Sequence, residues 1–411
     1  MSINYTYKEK YLAIVCISST ITLAAFSPYL SLALVFISLI LFEVAFGRKY
    51  YIYFLPLLVL LLAYLASSRG IFETPKDDLS DYYKNFIALG DGNLFAIFEW
   101  GQGIEIGLPI VSAIISFIVP EAPPRLFLFL HLIVIFGLFF WFLHKLFLNR
   151  ISSPAVFICI VCLFLGYTGI GNLLRQSYSS VFLLASLGYV GRKKVFLLII
   201  ATLFHFSAVF IYLLLAWLIR PSKKKIFVTL IATIVVYAVL WKLIRPILEE
   251  YSYLKLTAYL MGNDGLELSV LISVYKEFVL IGIMAYIYYL LGFWKSLNVA
   301  YSFILLLILV VFIELILPGI SLRLNHALIS FCIGPLLFYV LSVKKRISMF
   351  SVAIIIPLLF VLKAFSFINN PHDMALFDDQ QLIYSNPLGY TSFLNDEIPN
   401  DKRDWKHMKY Q

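Results

Sequence analysis

Apolar residues follow one another in continuous blocks along this chain, and the polar residues gather in the short stretches between them. The blocks lie near residues 11–27, 29–46, 50–66, 103–119, 125–143, 154–172, 177–190, 195–219, 226–244, 268–291, 297–317, 320–342 and 347–367. A hydrocarbon core about 30 Å thick takes a helix of about 20 apolar residues, and most of the blocks approach that length. Lipid accepts only helices and closed barrels, because each satisfies its own backbone. Continuous runs without period-two alternation predict helices. The first block lacks an A-x-A-like cleavage site and is soon followed by another, so it reads as a retained span and not a removed signal. No internal repeat is visible. The expected fold class is an all-α polytopic membrane protein over residues 1–367, followed by a tail over 368–411.

Composition agrees: hydrophobic residues make up 62%, charged residues 13%, and the mean hydropathy is +0.93. Little room is left for a soluble domain. The formal charge of +9 does not point to nucleic acid. Its basic residues sit in short loops between apolar blocks, as the positive-inside rule expects. These are Lys8/Lys10, Arg48/Lys49, Lys145/Arg150, Arg192-Lys193-Lys194, Arg220 with Lys223-Lys224-Lys225, Lys295 and Lys344-Lys345-Arg346. All of them face the cytoplasm only if two blocks do not cross. Block 103–119 is short and opens on a charge and two glycines, and block 195–219 carries His205 and Ser207 near its middle. Read as short or re-entrant segments, they leave about eleven crossings, with the N-terminus inside and the C-terminus outside. A plain model of about thirteen spans is the alternative, and it puts two basic loops on the wrong side. The loops 67–100 and 245–267 and the tail 368–411 then face outward. Cys159 and Cys162 form a CxxC, but inside an apolar block thiols pack as small hydrophobes.

Ionisable residues within or beside apolar blocks are functional candidates, since each costs about 2.5–3.5 kcal/mol on insertion scales. Asp77, Asp78 and Asp81 lie beside Arg69 and Lys76 on the first outer loop. They could supply a general base or hold a divalent metal, or form a solvated helix start. Glu105 opens the short block 103–119, where a helix dipole would favour it. It is equally a candidate acid or base. Arg175, at a break between apolar blocks, and Arg323, after a Pro-Gly break, present planar donor forks to a phosphate. Snorkelling to headgroups is the plainer reading of both. His205 and His326 are packing residues or site residues on the same grounds. Transfer of a sugar from a lipid pyrophosphate needs charge stabilisation of the leaving group and one base for the acceptor hydroxyl. Two arginines with one Asp, Glu or His suffice, and no metal or other cofactor is required.

The order of these features resembles the EpsG-type branch of Wzy-like polysaccharide polymerases. Arg69 to Asp81-Tyr82 matches an outer-loop motif of that family. Glu105-Ile106-Gly107 stands where the family often has Glu-Pro-Gly. Residues 173–210 carry an Arg-Gln, an apolar stretch, a basic loop and then Phe-His-x-Ser-Ala, and Arg323 matches a late arginine. The resemblance covers roughly residues 65–220 and 315–340. It implies a polymerase with a GT-C-like architecture. Such an enzyme joins polyprenyl-pyrophosphate-linked oligosaccharide units, as donor and acceptor, on the outer side of the bacterial inner membrane. On this expectation Asp81 and His205, then Asp78 and Glu105, are the candidate catalytic bases. Arg69, Arg175, Arg323 and His326 bind substrate or pyrophosphate. Membrane lipid and a chain-length regulator are the other candidate partners. The rival readings are a flippase for the same lipid-linked sugars, a single-sugar transferase or glycan ligase, and a non-enzymatic scaffold. Lys276 and Glu277, inside block 268–291, best fit a transporter.

Overall fold

The computed structural model describes residues 3–68, 78–219, 222–239, 304–306, 308–309, 323–324, 326–333, 335, 356–357 and 360–361. Regular structure among the described residues is helical, with no strand. The chain divides into two units, one made of 1–208 with 336–411 and the other of 209–335.

In the first unit, α1 (Ile3–Phe26) turns into α2 (Pro28–Phe46) at Ser27. The Ser27 side chain accepts the Leu30 N–H at 3.3 Å, and Pro28 starts the helix with a preset φ. A tight turn at Arg48–Tyr50 leads into α3 (Tyr51–Ser67). After α4 (Leu79–Gly90) come two short turns, then α5 (Gly107–Ile118) and α6 (Pro124–Leu146). Three helical stretches among the described residues are long and apolar enough to cross a membrane: Pro28–Phe46, Arg48–Ser67 and Pro124–Arg150. α5 has 12 residues and reaches about 18 Å, short of the hydrocarbon thickness, as its block predicted.

The apolar block 154–172 is not one helix. It splits into α7 (Pro154–Phe164) and α8 (Tyr167–Asn172), with an extended Leu165 between them, and α9 (Leu174–Gly188) follows. The run Gly166-Tyr167-Thr168-Gly169-Ile170-Gly171 explains the break, because glycine weakens helix interiors. Every residue of α7 is buried, so protein surrounds it on all sides. Its Ala155 N–H donates to Glu43 Oε2 of α2 at 2.5 Å, so this carboxylate caps a neighbouring helix. Cys159 and Cys162 are buried free thiols in that helix.

α9 packs against α10 (Arg192–Phe204) and α6, and α4 packs against α5. Block 195–219 is interrupted at His205-Phe206-Ser207, where α10 ends and α11 (Ala208–Ile219) begins. Among the described parts of the second unit, Trp217 Nε1–H of α11 donates to Thr229 Oγ1 of α12 (Lys223–Val239) at 3.0 Å. A π-helical turn covers His326–Ile333.

A buried polar knot fixes α5, α6 and α9 to one another. His131 of α6 is fully buried, with Nε2 3.2 Å from Ser112 Oγ of α5 and Nδ1 3.0 Å from Tyr178 Oη of α9. The Tyr178 ring stacks on Phe204 at the end of α10, centroids 4.6 Å apart. Gly107 closes the other side: a Cβ there would lie 2.7 Å from the Phe204 ring. The start of α5 therefore sits directly on the residue that precedes His205.

Candidate functional site

That contact brings Glu105, two residues before α5, to the broken end of α10. Its side chain is 5% exposed, and its two oxygens meet three partners. Oε1 lies 2.7 Å from His205 Nδ1 and accepts the Phe206 N–H at 2.7 Å. Oε2 accepts Arg175 Nη1 at 2.5 Å. A helix interior would hide the Phe206 N–H in the helix's own ladder, so the break in block 195–219 is what frees it for Glu105. Gly101 (φ +57) completes the support, because a Cβ there would come within 2.5 Å of Glu105 Cγ.

Burial alone pushes the Glu105 carboxyl up, but the hydrogen bond and charge of His205, the Phe206 N–H and the Arg175 guanidinium outweigh it and hold the group at about 2. Glu105 is therefore an ionised, acceptor-only group. Against an acceptor-only carboxylate His205 Nδ1 is the donor, which leaves Nε2 as the ring nitrogen free to exchange a proton with a ligand.

Arg175 opens α9, and its guanidinium lies over the Trp100 ring at 4.5 Å and toward the Tyr82 ring at 5.7 Å. The two rings meet edge to face, with centroids 5.6 Å apart. A planar cation held against an indole loses little freedom on binding a further partner. The Tyr82 hydroxyl donates to Asp78 Oδ2 at 3.2 Å, and the Asp78 N–H donates to Asn172 Oδ1 of α8 at 3.3 Å. Asp78 occupies the N-cap position of α4 without the side-chain hydrogen bond of a cap. Asp81, one turn on, is exposed. Partial desolvation, then the like charges of Asp78 and Glu99, raise its carboxyl above the usual value.

The structure thus gathers Arg175 and His205 around the Glu105 carboxylate, with Asp78 bonded to Tyr82 beside Arg175 and the exposed Asp81 one turn further along α4. Glu105 stands two residues ahead of α5, and beyond the helix dipole its oxygens hold His205, Phe206 and Arg175. Arg323 and His326 belong to the second unit, where His326 is buried and meets Phe331 edge to face. Arg69, Asp77, Lys276 and Glu277, the loop 245–267 and the tail 368–411 lie outside the described residues, and so does the metal reading of the Asp77/Asp78/Asp81 cluster. No group of three metal-ligating side chains occurs among the described residues. In the sequence Tyr82 belongs to the Asp81-Tyr82 motif, and both it and Trp100 read as aromatics able to sit at the interface or to stack on sugars. Their service to Arg175 carries no local signal, because the partners are distant along the chain.

The family profile for EpsG matches residues 52–383. The chain belongs to the EpsG family. No curated protein and no solved structure matches it. The matched stretch holds the whole cluster and also Arg323 and His326. EpsG membership and the long apolar helices make this a transmembrane protein of polysaccharide biosynthesis.

Proposed function

We propose that this EpsG-family chain is a membrane glycosyltransferase that polymerises oligosaccharide units carried on polyprenyl pyrophosphate. The observation that carries the reading is the Glu105 carboxylate, which holds an imidazole and a guanidinium side by side. The acceptor hydroxyl of one unit attacks the anomeric carbon of the other. His205 Nε2 takes the hydroxyl proton while the anomeric carbon–oxygen bond breaks. The bonding pair leaves with the pyrophosphate, whose charge Arg175 offsets in a site of low dielectric. Glu105 keeps His205 in the required tautomer and steadies the imidazolium that forms, in the manner of a carboxylate–histidine pair. It is a positioning residue in this scheme and not the base, because its own basicity is spent. Asp81 is exposed and makes no hydrogen bond to this pairing among the described residues, so His205 takes the first rank.

We place the site on the outer face of the bacterial inner membrane, with the N-terminus in the cytoplasm, from the sorting of basic loops. About eleven crossings and a GT-C-like cover of outer loops fit that orientation. Arg69, Arg323 and His326 are further candidates to hold the lipid-linked substrate, and a chain-length regulator is a candidate partner. The test is made in cells that carry Arg175→Lys in place of the native chain. A polymerase defect leaves single repeats completed and exported, with long polymer lost. Repeats stranded on the cytoplasmic side would instead identify a flippase.

A further inference from the structure

Hydrogen-bond donors around Glu105 are left over once its own contacts are made. Arg175 Nε, Trp100 Nε1 and Ser207 Oγ are buried atoms without a hydrogen-bond partner among the described residues. Each sits next to a contact already described. Nε belongs to the guanidinium whose Nη1 holds Glu105 Oε2. Trp100 carries the ring beneath that guanidinium. Ser207 follows Phe206, whose N–H holds Oε1. Ser179, also with a buried Oγ lacking a partner, lies one turn along the same face of α9 as Arg175. A buried polar atom without a partner is a few-per-hundred-residues event in folded proteins, and each one is destabilising. Several around one carboxylate call for a ligand.

The chemistry of the set selects the ligand. The indole N–H and the guanidinium N–H only donate, and a serine hydroxyl is able to do so. What satisfies them is a group rich in acceptors. A sugar hydroxyl brings a proton of its own, for which the indole and the guanidinium offer no acceptor. Glu105 engages Arg175 through Nη1, which leaves the Nε–H edge of the guanidinium for the ligand. We infer that Trp100 Nε1–H, Ser207 Oγ–H and Arg175 Nε–H form a cradle for phosphate oxygens, with Trp100 and Ser207 as ligand-binding residues of the site. This rests on the transferase reading above and assigns the part of the site that takes the leaving pyrophosphate. Trp100 then acts twice: its ring holds the guanidinium in place, and its N–H binds the ligand.

Trp100→Phe separates the two roles, because phenylalanine keeps a ring under Arg175 and lacks the N–H. Ser207→Ala removes one hydroxyl. The full chain in detergent is titrated with a short prenyl pyrophosphate, the matching prenyl monophosphate and inorganic pyrophosphate, and thermal unfolding of each variant is recorded alongside. A hydrogen bond to a charged group corresponds to about tenfold or more in affinity. Each variant should therefore bind prenyl pyrophosphate about tenfold more weakly at an unchanged unfolding midpoint. A matching loss for inorganic pyrophosphate assigns the cradle to the phosphates themselves. A loss confined to the prenyl ligands would overturn the assignment, since the contacts would then be to lipid. Wild-type affinity in both variants would sink the cradle and leave Arg175 as the phosphate contact of the transferase reading. No binding of any of the three by the wild type would remove that reading as well. Should Trp100→Phe fail to fold, Ser207→Ala still decides.

Discussion

At the scale of single residues, Glu105 determines the site. A buried ion pair loses its balance when one partner goes, because the remaining charge stays desolvated. Glu105→Gln keeps the shape, withdraws the charge and offers Arg175 and His205 a weaker acceptor. Turnover should fall about 100-fold to 10,000-fold, the range associated with a general base, with a much smaller change in KM. Steady-state kinetics on the purified variant give the split, and an unchanged turnover number would contradict the positioning role. Glu105 also marks the acid limb of stability. Its carboxyl is held at about 2 in the folded chain against an ordinary 4.5. A group depressed on folding stabilises above its unfolded value, and that contribution is lost as pH falls through the folded one. Wild type should lose stability between about pH 4.5 and 2, and Glu105→Gln should start lower and show a flatter loss across that window, as read from thermal midpoints. The sequence marked Glu105, Arg175 and His205 as candidates because charges beside apolar blocks are rare. Their meeting was not legible, since spacing along the chain says nothing about contacts between elements 70 and 100 residues apart.

At the scale of elements, two irregularities make the site: the break after Phe204 and the short α5. Block 195–219 announced its break through His205 and Ser207, polar residues at mid-block that a continuous span would have to bury unaided. The break at Leu165 in block 154–172 was less legible, because the apolar pattern there runs on and only glycines interrupt it. Glu43 was missed for the opposite reason: a lone carboxylate inside a block gives no hint that it caps another helix. The seat of α5 on Phe204 is narrow. In Gly107→Ala the new methyl must displace the Phe204 ring or lift α5, and overpacking of this kind destabilises by about 1–3 kcal/mol. The displacement also draws Glu105 from His205, so activity should fall more steeply than thermal stability. Equal activity in Gly107→Ala and wild type would mean that the α5–Phe204 contact does not set the pairing. The His131 knot belongs to the same scale. Ser112→Ala leaves a buried imidazole nitrogen short of a partner, at about 1–3 kcal/mol, and should lower the unfolding midpoint without shifting the pH dependence of turnover.

At the scale of the whole molecule, the all-helical class and the long apolar helices were legible from unbroken hydrophobicity, since lipid permits few alternatives. Orientation rests on basic loops and not on packing, which makes it separately testable. A reporter fused after residue 411 should be active on the outer side, and one inserted at Gly191, just before the basic first turn of α10, should be active in the cytoplasm. The reverse pattern would exclude an outer-facing site. The central claim concerns chemistry: Arg175 and His205, held by one carboxylate, join lipid-linked sugar units. It is tested most directly with the purified chain in detergent and a synthetic oligosaccharide repeat unit on polyprenyl pyrophosphate, with and without a chelator. Wild type should yield a ladder of products spaced by one repeat under both conditions, and His205→Ala and Arg175→Lys should each leave the starting unit nearly unchanged. Folded wild type that gives no ladder from its own repeat unit, or a His205→Ala ladder equal to that of wild type, would contradict it.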